Sequence, residues 1–178
     1  TWKMPSERTL LYRGNFDCDV QLWSPTGQWV LVTGGGGKNS KAILIRTDGT
    51  GREESISPIG VWMRAISWSP DGAHLVYASD EQLPDVSEIR VLDVNAVATS
   101  LVYTRTGFVT LVSAWSPDGR TIAVLVERPG ELLILESSTR RILTRLVFPS
   151  RWKPGDDLVW SPSGDRIAFS FHTPEHQI

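Results

Sequence analysis

A short motif that recurs at a nearly constant interval constrains this chain more than any other feature. The motif is Trp-Ser-Pro, then one polar residue, then Gly, and its four copies begin at Trp23, Trp68, Trp115 and Trp160. Neighbouring copies are therefore 45, 47 and 45 residues apart. A period of about 40 to 50 residues is typical of the four-stranded blade of a β-propeller, so the spacing predicts a repeat architecture.

The residues of each copy predict two strands joined by a tight turn. Proline restricts φ to about −65°, and the final glycine can take the positive φ that closes such a turn. The segment after the turn is rich in β-branched residues, as in the stretch from Thr121 to Val126. A large ring at one point of every repeat suits packing between blades, so we expect all four motif tryptophans to be buried, each with its indole N–H bonded to a neighbour.

The remaining segments extend this prediction to the whole chain, which we interpret as all-β: a propeller of four-stranded antiparallel blades. The chain holds about three full blades and parts of a fourth, with repeats at about 14–58, 59–105, 106–150 and 151–178 in one domain over 1–178. An isolated strand over 7–13 is a candidate to close the fourth blade. Because that blade still lacks a strand, we expect the chain to be part of a larger propeller, able to associate through open blade edges.

Composition and charge narrow the function. The chain has 178 residues, of which 40% are hydrophobic and 21% charged, as in a globular domain. A net charge of −2 gives no general attraction to nucleic acid. The single cysteine, Cys18, excludes an internal disulfide and a cysteine-based zinc site. No apolar run reaches the roughly 20 residues of a membrane span, so we expect no insertion into a membrane.

At its Trp-Ser-Pro-Asp-Gly copies the chain resembles the TolB-type, WD-repeat-like β-propellers. The matching segments are Trp115–Gly119 with Ile122-Ala123-Val124, Trp68–Gly72 with Leu75–Asp80 and Ile89–Asp93, and Trp160–Gly164 with Ile167-Ala168-Phe169. Similar propellers occur as periplasmic partner-binding domains and as the gating domains of prolyl-oligopeptidase-like enzymes. The resemblance implies a bacterial repeat protein that binds a protein or peptide, in the periplasm or outside the cell, with the cytoplasm left open.

Candidate catalytic and metal sites are weak. The glycine-rich loop over 34–40 lacks the P-loop spacing, and the acidic group in the equivalent loop of the second repeat lacks the spacing of a calcium loop. The histidines near the end of the chain flank Pro174, which opposes a helical zinc pair, and no G-x-S-x-G segment carries a nucleophile. We therefore predict no cofactor, no metal and no catalytic residue, and hence no enzyme. The acidic group is Asp80, Glu81, Asp85 and Glu88, and the histidines are His74, His172 and His176.

One end of the blades is the predicted binding face. The first strand of a propeller blade lines the central channel, so the residues four before each motif tryptophan should lie near its mouth, and three of the four are charged. Loops between blades belong to the same face, and their tryptophan and arginine residues suit a partner-binding surface. The predicted ligand-binding residues are Asp19, Trp62, Arg64, Phe108, Arg151, Trp152 and Asp156, and the fourth mouth position is Leu111.

Three functions remain open. The leading hypothesis is a non-catalytic protein- or peptide-binding module of TolB type. The alternative is the substrate-gating propeller of a prolyl-oligopeptidase-like serine peptidase whose catalytic domain is outside this chain. A third is a carbohydrate-handling enzyme, for which Asp19 and Asp156 are the only candidate pair of carboxylates at the channel mouth.

Overall fold

The computed structural model describes residues 18–35, 41–50, 53–56, 63–79, 86–107 and 111–172. Within these ranges the regular structure consists of fourteen strands without a helix, so no described segment could cross a membrane as a helix. The strands are β1 (Cys18–Trp23), β2 (Trp29–Gly34), β3 (Lys41–Arg46), β4 (Glu53–Ser55), β5 (Met63–Trp68), β6 (His74–Ser79), β7 (Val86–Asp93), β8 (Ala98–Thr106), β9 (Leu111–Trp115), β10 (Thr121–Val126), β11 (Glu131–Glu136), β12 (Ile142–Val147), β13 (Lys153–Trp160) and β14 (Ile167–His172).

The strands form one antiparallel sheet per repeat, in chain order. The first three sheets are β1–β2–β3–β4, β5–β6–β7–β8 and β9–β10–β11–β12, and the fourth is the pair β13–β14 within the described residues. We call these sheets the first to fourth blades. The prediction of three full blades and part of a fourth is confirmed, while the candidate strand over 7–13 lies outside the described residues.

The chain divides into two compact units, Thr1–Gly60 and Val61–Ile178. The first unit holds the first blade, and Val30, Val32, Ile43 and Ile45 form its buried cluster. These residues are alternate positions of two paired strands, so they project from one side of the sheet. The second unit holds the other three blades.

The third blade is packed on both of its faces. Ile122 and Val124 of β10 belong to the cluster shared with the second blade, whereas Ala123 and Leu125 belong to the cluster that packs against the fourth blade. Successive side chains of a strand point to opposite faces, so a strand covered on both sides needs apolar residues at every position. This is why β10 is apolar without interruption from Ile122 to Val126.

The motif turns have the predicted geometry. In the third blade, Gly119 has a φ of 73° and donates its backbone N–H to the Ser116 carbonyl over 3.0 Å. Asp118 Oδ1 accepts the Ser116 hydroxyl at 2.6 Å and the Arg120 backbone N–H at 3.0 Å. The other copies repeat the glycine bond at 2.9 Å, from Gly27 to Ser24, from Gly72 to Ser69 and from Gly164 to Ser161.

Successive turns of the second unit stack on one another. A Cβ atom placed on Gly119 would lie 3.6 Å from Pro70 Cδ, and one placed on Gly164 would lie 3.6 Å from Pro117 Cδ. A polar contact also joins the first strands of the second and third blades: Ser113 Oγ on β9 donates to the Ala65 carbonyl on β5 at 3.2 Å. Equivalent points of adjacent repeats therefore touch in the same way.

The prediction that every motif tryptophan is buried and bonded is wrong for part of the set. Trp68 is 9% exposed and Trp115 and Trp160 are half-buried, but Trp23 is 60% exposed. Trp160 Nε1 donates to the Ala114 carbonyl at 3.2 Å, while the buried Nε1 atoms of Trp68 and Trp115 have no partner within the described residues. Burial of the ring depends on the sheet that lies against it, and the first unit offers no second sheet among its described residues.

The outer strand of the third blade is exposed along its length. β13 packs against β9 and β10, which leaves β12 uncovered on that side by any strand of the described fourth blade. Its apolar residues are accordingly between 45% and 58% exposed: Ile142, Leu143, Leu146 and Val147.

Candidate functional site

A groove lies where the hairpin between β10 and β11, residues 127–130, meets the connector between β12 and β13, residues 148–152. Its volume is about 390 Å³, within the usual range of about 300 to 1,000 Å³ for ligand pockets. Its lining includes Glu127, Arg128, Val147, Phe148, Trp152 and Lys153.

Backbone contacts hold the connector against the hairpin. Phe148 donates its N–H to the Gly130 carbonyl at 2.8 Å, and Trp152 donates its N–H to the Pro149 carbonyl at 2.8 Å, which closes a turn. A Cβ atom on Gly130 would lie only 3.1 Å from the Trp152 carbonyl oxygen and 3.3 Å from Pro154 Cδ. A side chain at this position would push the two segments apart by a few tenths of an ångström, so glycine favours their close approach.

An aromatic cluster of Phe148 and Phe171 packs against the Trp152 ring. Phe148 meets Phe171 edge to face at a centroid distance of 4.9 Å, and Trp152 meets Phe171 at 5.1 Å with an interplanar angle of 63°. Both distances are in the favourable range for aromatic pairs. Phe148 is buried, yet Trp152 remains 38% exposed. The cluster thus fixes the ring of Trp152 while part of it faces solvent.

Cationic side chains lie beside the aromatic cluster. Arg128 and Lys153 line the groove and are exposed, and Arg151 is exposed in the connector beside it. Glu127 is the acidic residue of the lining, and its Oε1 is 3.5 Å from Arg128 Nε. Val147 adds a half-exposed apolar side chain. The groove can therefore accept an apolar group together with a carboxylate.

Of the predicted ligand-binding residues, Trp152 lines this groove, and its neighbour Arg151 is exposed in the connector beside it. Asp156 is exposed on β13, in the irregular stretch of pairing between Pro154 and Leu158. Leu111, at the corresponding position of the third blade, is 2% exposed and belongs to the core.

The other predicted site residues lie outside what the structure describes. Asp19 and Arg64 are on β1 and β5 but their side chains are outside the described set, and Trp62 and Phe108 are outside the described residues altogether. The sequence interpretation missed Arg128 and Val147. The Arg-Pro-Gly turn that follows Glu127 was the available signal for Arg128, because loops between second and third strands share a face with the connectors between blades.

No group of three or more histidine, cysteine or acidic side chains suited to a metal ion is present in the described part of the chain. Glu88, the one member of the predicted acidic group that is described, has its Oε2 2.7 Å from Arg90 Nε. The other three members, Asp80, Glu81 and Asp85, lie outside the described residues.

Comparison with known proteins finds the fold but no sequence family. No protein-family model and no curated protein matches the chain. Among solved structures, TolB from Acinetobacter baumannii matches with a TM-score of 0.71 at 18% identity, over 93% of this chain and 40% of that one. The β-propeller domain of the Trilobed protease from Pyrococcus furiosus matches with a TM-score of 0.61 at 15% identity, over 86% of this chain and 48% of that one.

A third similar structure is an enzyme of another class. Oligogalacturonate lyase from Vibrio parahaemolyticus matches with a TM-score of 0.66 at 11% identity, over 94% of this chain and 50% of that one. The chain thus spans 40% to 50% of the length of these three propellers. At such identities the likeness defines the fold alone, and the fold is that of a partial β-propeller similar to that of TolB.

Proposed function

We propose that this chain is a non-catalytic propeller module that binds a protein or peptide segment in the groove around Trp152. The observation that carries the proposal is a tryptophan held by an aromatic cluster and still 38% exposed beside cationic side chains. Tryptophan and arginine are the residues that most often dominate binding energy at protein interfaces. A ring already fixed by its neighbours loses little conformational entropy on binding, which favours affinity.

The lining defines the chemistry of the bound segment. An apolar side chain would cover Trp152 and the half-exposed Val147, and an acidic side chain would face Arg128 and Lys153. Complementary charge at the rim speeds association and selects against basic segments. We therefore propose a segment that alternates apolar and acidic residues, bound in the periplasm or outside the cell.

The experiment is a selection of displayed peptides on the whole chain. We expect enriched peptides to carry an aromatic or large aliphatic residue next to Asp or Glu. Their affinity should fall at least about tenfold, or 1.4 kcal/mol, in Trp152→Ala, and less in Trp152→Phe. Arg128→Ala should weaken acidic peptides, whereas Arg120→Ala, an equally exposed arginine at the other end of β10, should not.

Two results would contradict the proposal. One is an affinity of the selected peptides that Trp152→Ala, folded by circular dichroism, leaves unchanged. The other is cleavage of a bound peptide, detected by mass spectrometry, because a non-catalytic module returns it intact.

The gating propeller of a serine peptidase is the second candidate, and the likeness to the propeller of the Trilobed protease favours keeping it. Both candidates handle peptides, so peptide binding alone does not separate them. The full-length gene does: an α/β-hydrolase segment in the same protein would favour gating, and its absence would favour the free-standing module.

A further inference from the structure

A second cleft, of about 520 Å³, lies at the opposite end of β10 from the groove. It is bounded by the motif turns of the second and third blades and by the turn between β11 and β12. Its lining includes Asp71, His74, Trp115, Asp118, Ser137 and Arg140. β10 begins at Thr121 beside this cleft and ends at Val126 beside the groove, so a ligand in one does not touch the other.

Arg140 supplies a positive charge that no carboxylate of the described residues neutralises. Its backbone has a φ of 65° and its N–H bonds the Glu136 carbonyl at 2.9 Å, which closes the turn. The guanidinium donates to the Ser137 carbonyl and lies 3.5 Å from Ser100 Oγ on β8. It makes no ion pair with the described residues, and burial lowers the pKa of Arg140 while leaving it charged at neutral pH.

Asp71 and Asp118 supply negative charge to the same cleft. Hydrogen bonds from the Ser69 hydroxyl and the Ala73 N–H hold the pKa of Asp71 below its ordinary value. Asp118 is held in the same way by the Ser116 hydroxyl and the Arg120 N–H. Both carboxyl groups are therefore ionised at neutral pH.

One oxygen of each carboxylate remains outside the turn it closes. The hydrogen bonds of the motif turns use Oδ1 of Asp71 and Oδ1 of Asp118. Oδ2 of Asp118 is 4.0 Å from Nε of the exposed Arg120, a weak contact at high solvent exposure. The second oxygens can thus accept a hydrogen bond from a ligand without opening the turns.

Two rings give the cleft an apolar wall. The half-buried Trp115 lies 6.2 Å from His74, centroid to centroid, and the rings are tilted by 35°. His74 Nε2 is 3.9 Å from Asp93 Oδ2, which is too far for a hydrogen bond. A flat or aliphatic group can pack on this wall.

We propose that the cleft binds a small zwitterion, an amino acid or a short peptide, with its carboxylate on Arg140 and its ammonium group facing Asp71 and Asp118. The side chain of the ligand lies over Trp115. A simple anion is disfavoured by the two aspartates and a simple cation by Arg140, so a ligand with both charges fits best. This site is independent of the peptide groove and of the function proposed for it.

The test is isothermal titration calorimetry on the whole chain at neutral pH with four probes. Phenylalanine and glycyl-phenylalanine carry both charges, N-acetyl-phenylalanine lacks the ammonium group, and phenylalanine amide lacks the carboxylate. We expect at least one of the first two to bind, and each blocked probe to bind at least about tenfold more weakly. Tighter binding of phenylalanine would indicate a free amino acid as the ligand, and tighter binding of glycyl-phenylalanine would indicate a short peptide.

Variants then assign the charges. Arg140→Gln should abolish binding of the zwitterion, and Asp71→Asn should weaken it about tenfold, whereas Arg141→Ala, an exposed neighbour outside the lining, should leave it unchanged. Circular dichroism tests whether each variant is folded. If Arg140→Gln does not fold, Asp71→Asn still tests the proposal. The proposal is overturned if neither zwitterion binds below about 10 mM, if a blocked probe binds equally well, or if a folded Arg140→Gln binds as tightly as the parent chain.

Discussion

The third and fourth blades carry the same motif and the same turn, yet they bury their residues very differently. Ile122 and Ile167 both stand seven residues after the motif tryptophan, but Ile122 is fully buried and Ile167 is only half-buried. β10 lies between β9 and β11 and is packed on both faces, whereas β14 pairs with β13 alone in the described part of the chain. The repeat specifies strand and turn, and the neighbouring sheets decide burial.

The apolar pattern of the two strands reflects this difference. β10 has aliphatic residues at every position from Ile122 to Val126, as a strand between two sheets needs. In β14, Phe169 and Phe171 pack on Phe148 of the connector between β12 and β13, and Ser170 between them is only half-buried. One face of β14 therefore contributes most of its packing.

The largest difference between the blades should appear on truncation of the paired isoleucines. Ile122→Ala should cost about 2 to 5 kcal/mol, because it opens a cavity in a closed core. Ile167→Ala should cost less than about 1.5 kcal/mol, since much of the side chain already meets water. Urea denaturation of both variants measures the costs, and equal losses would break the comparison.

A smaller difference should follow from the ion pairs of the two blades. Glu131 is 1% exposed and its Oε2 is 2.6 Å from Arg145 Nε, with the Tyr103 hydroxyl 3.3 Å from Oε1. Arg145→Met leaves a buried charge without its partner and should cost about 2 kcal/mol, below the usual cost for a fully buried pair because Arg145 is half-exposed.

The matched pair in the fourth blade is exposed on both sides. Arg166 Nε is 3.7 Å from Asp165 Oδ2, and Arg166→Met should change the free energy of unfolding by less than about 0.5 kcal/mol. Thermal and urea unfolding of the two variants compare these costs, and an insensitive Arg145→Met would show that water reaches Glu131.

The motif glycines should behave alike in the two blades. Gly119 and Gly164 have φ values of 73° and 74°, and a Cβ at either position meets only an ordinary contact with a proline. The cost of substitution is therefore backbone strain, and Gly119→Val and Gly164→Val should each lose about 1 to 3 kcal/mol. A neutral denaturation midpoint for either variant would contradict the left-handed turn at that site.

Acid should lower the free energy of unfolding through Asp118 in the motif turn of the third blade, by less than the glycine substitutions do. Because the folded pKa of Asp118 lies below 3.8, its contribution to stability is complete above that value and is lost as the pH falls through the folded pKa. The side chain is largely exposed, so the loss should stay below about 1 kcal/mol. Asp118→Asn should lose less stability than the parent chain between about pH 5 and pH 3, measured by urea midpoints. Equal losses would mean that other carboxyl groups cause the acid sensitivity.

The exposed outer strand of the third blade should govern self-association more than folding. We propose that β12, together with the edge of β14 that has no partner strand among the described residues, lets chains associate at high concentration, since uncovered apolar strands favour further pairing. Leu143→Lys combined with Leu146→Lys should reduce the associated fraction in light scattering and change stability by less than about 0.5 kcal/mol. Unchanged scattering would assign the association to another surface.

Much of the fold could be predicted from local chemistry. The motif, through its spacing, its proline and its glycine, was enough to predict the strands and the positive φ of Gly119. These features depend on a few adjacent residues. The connector with Arg151 and Trp152 was predicted as a binding segment from its residue types. That assignment remains a prediction, although Trp152 lines the groove and Arg151 is exposed in the connector beside it.

Features that depend on distant neighbours could not be predicted. The exposure of Trp23 and the exposure of Val147 are set by which sheets lie nearby. Arg140 is half-buried and has no ion pair among the described residues, which depends on where the acidic groups of other strands and turns lie.

The contact between motif turns has a consequence for how such a chain changes over evolutionary time. A Cβ atom on Gly119 would lie 3.6 Å from Pro70 Cδ and one on Gly164 3.6 Å from Pro117 Cδ, so the joint between repeats is of one kind at these two steps. Duplication or loss of one whole repeat, 45 to 47 residues, would recreate this joint without new selection on it. We therefore expect gene rearrangement in these units to preserve the contact between turns while the loops diverge towards new ligands.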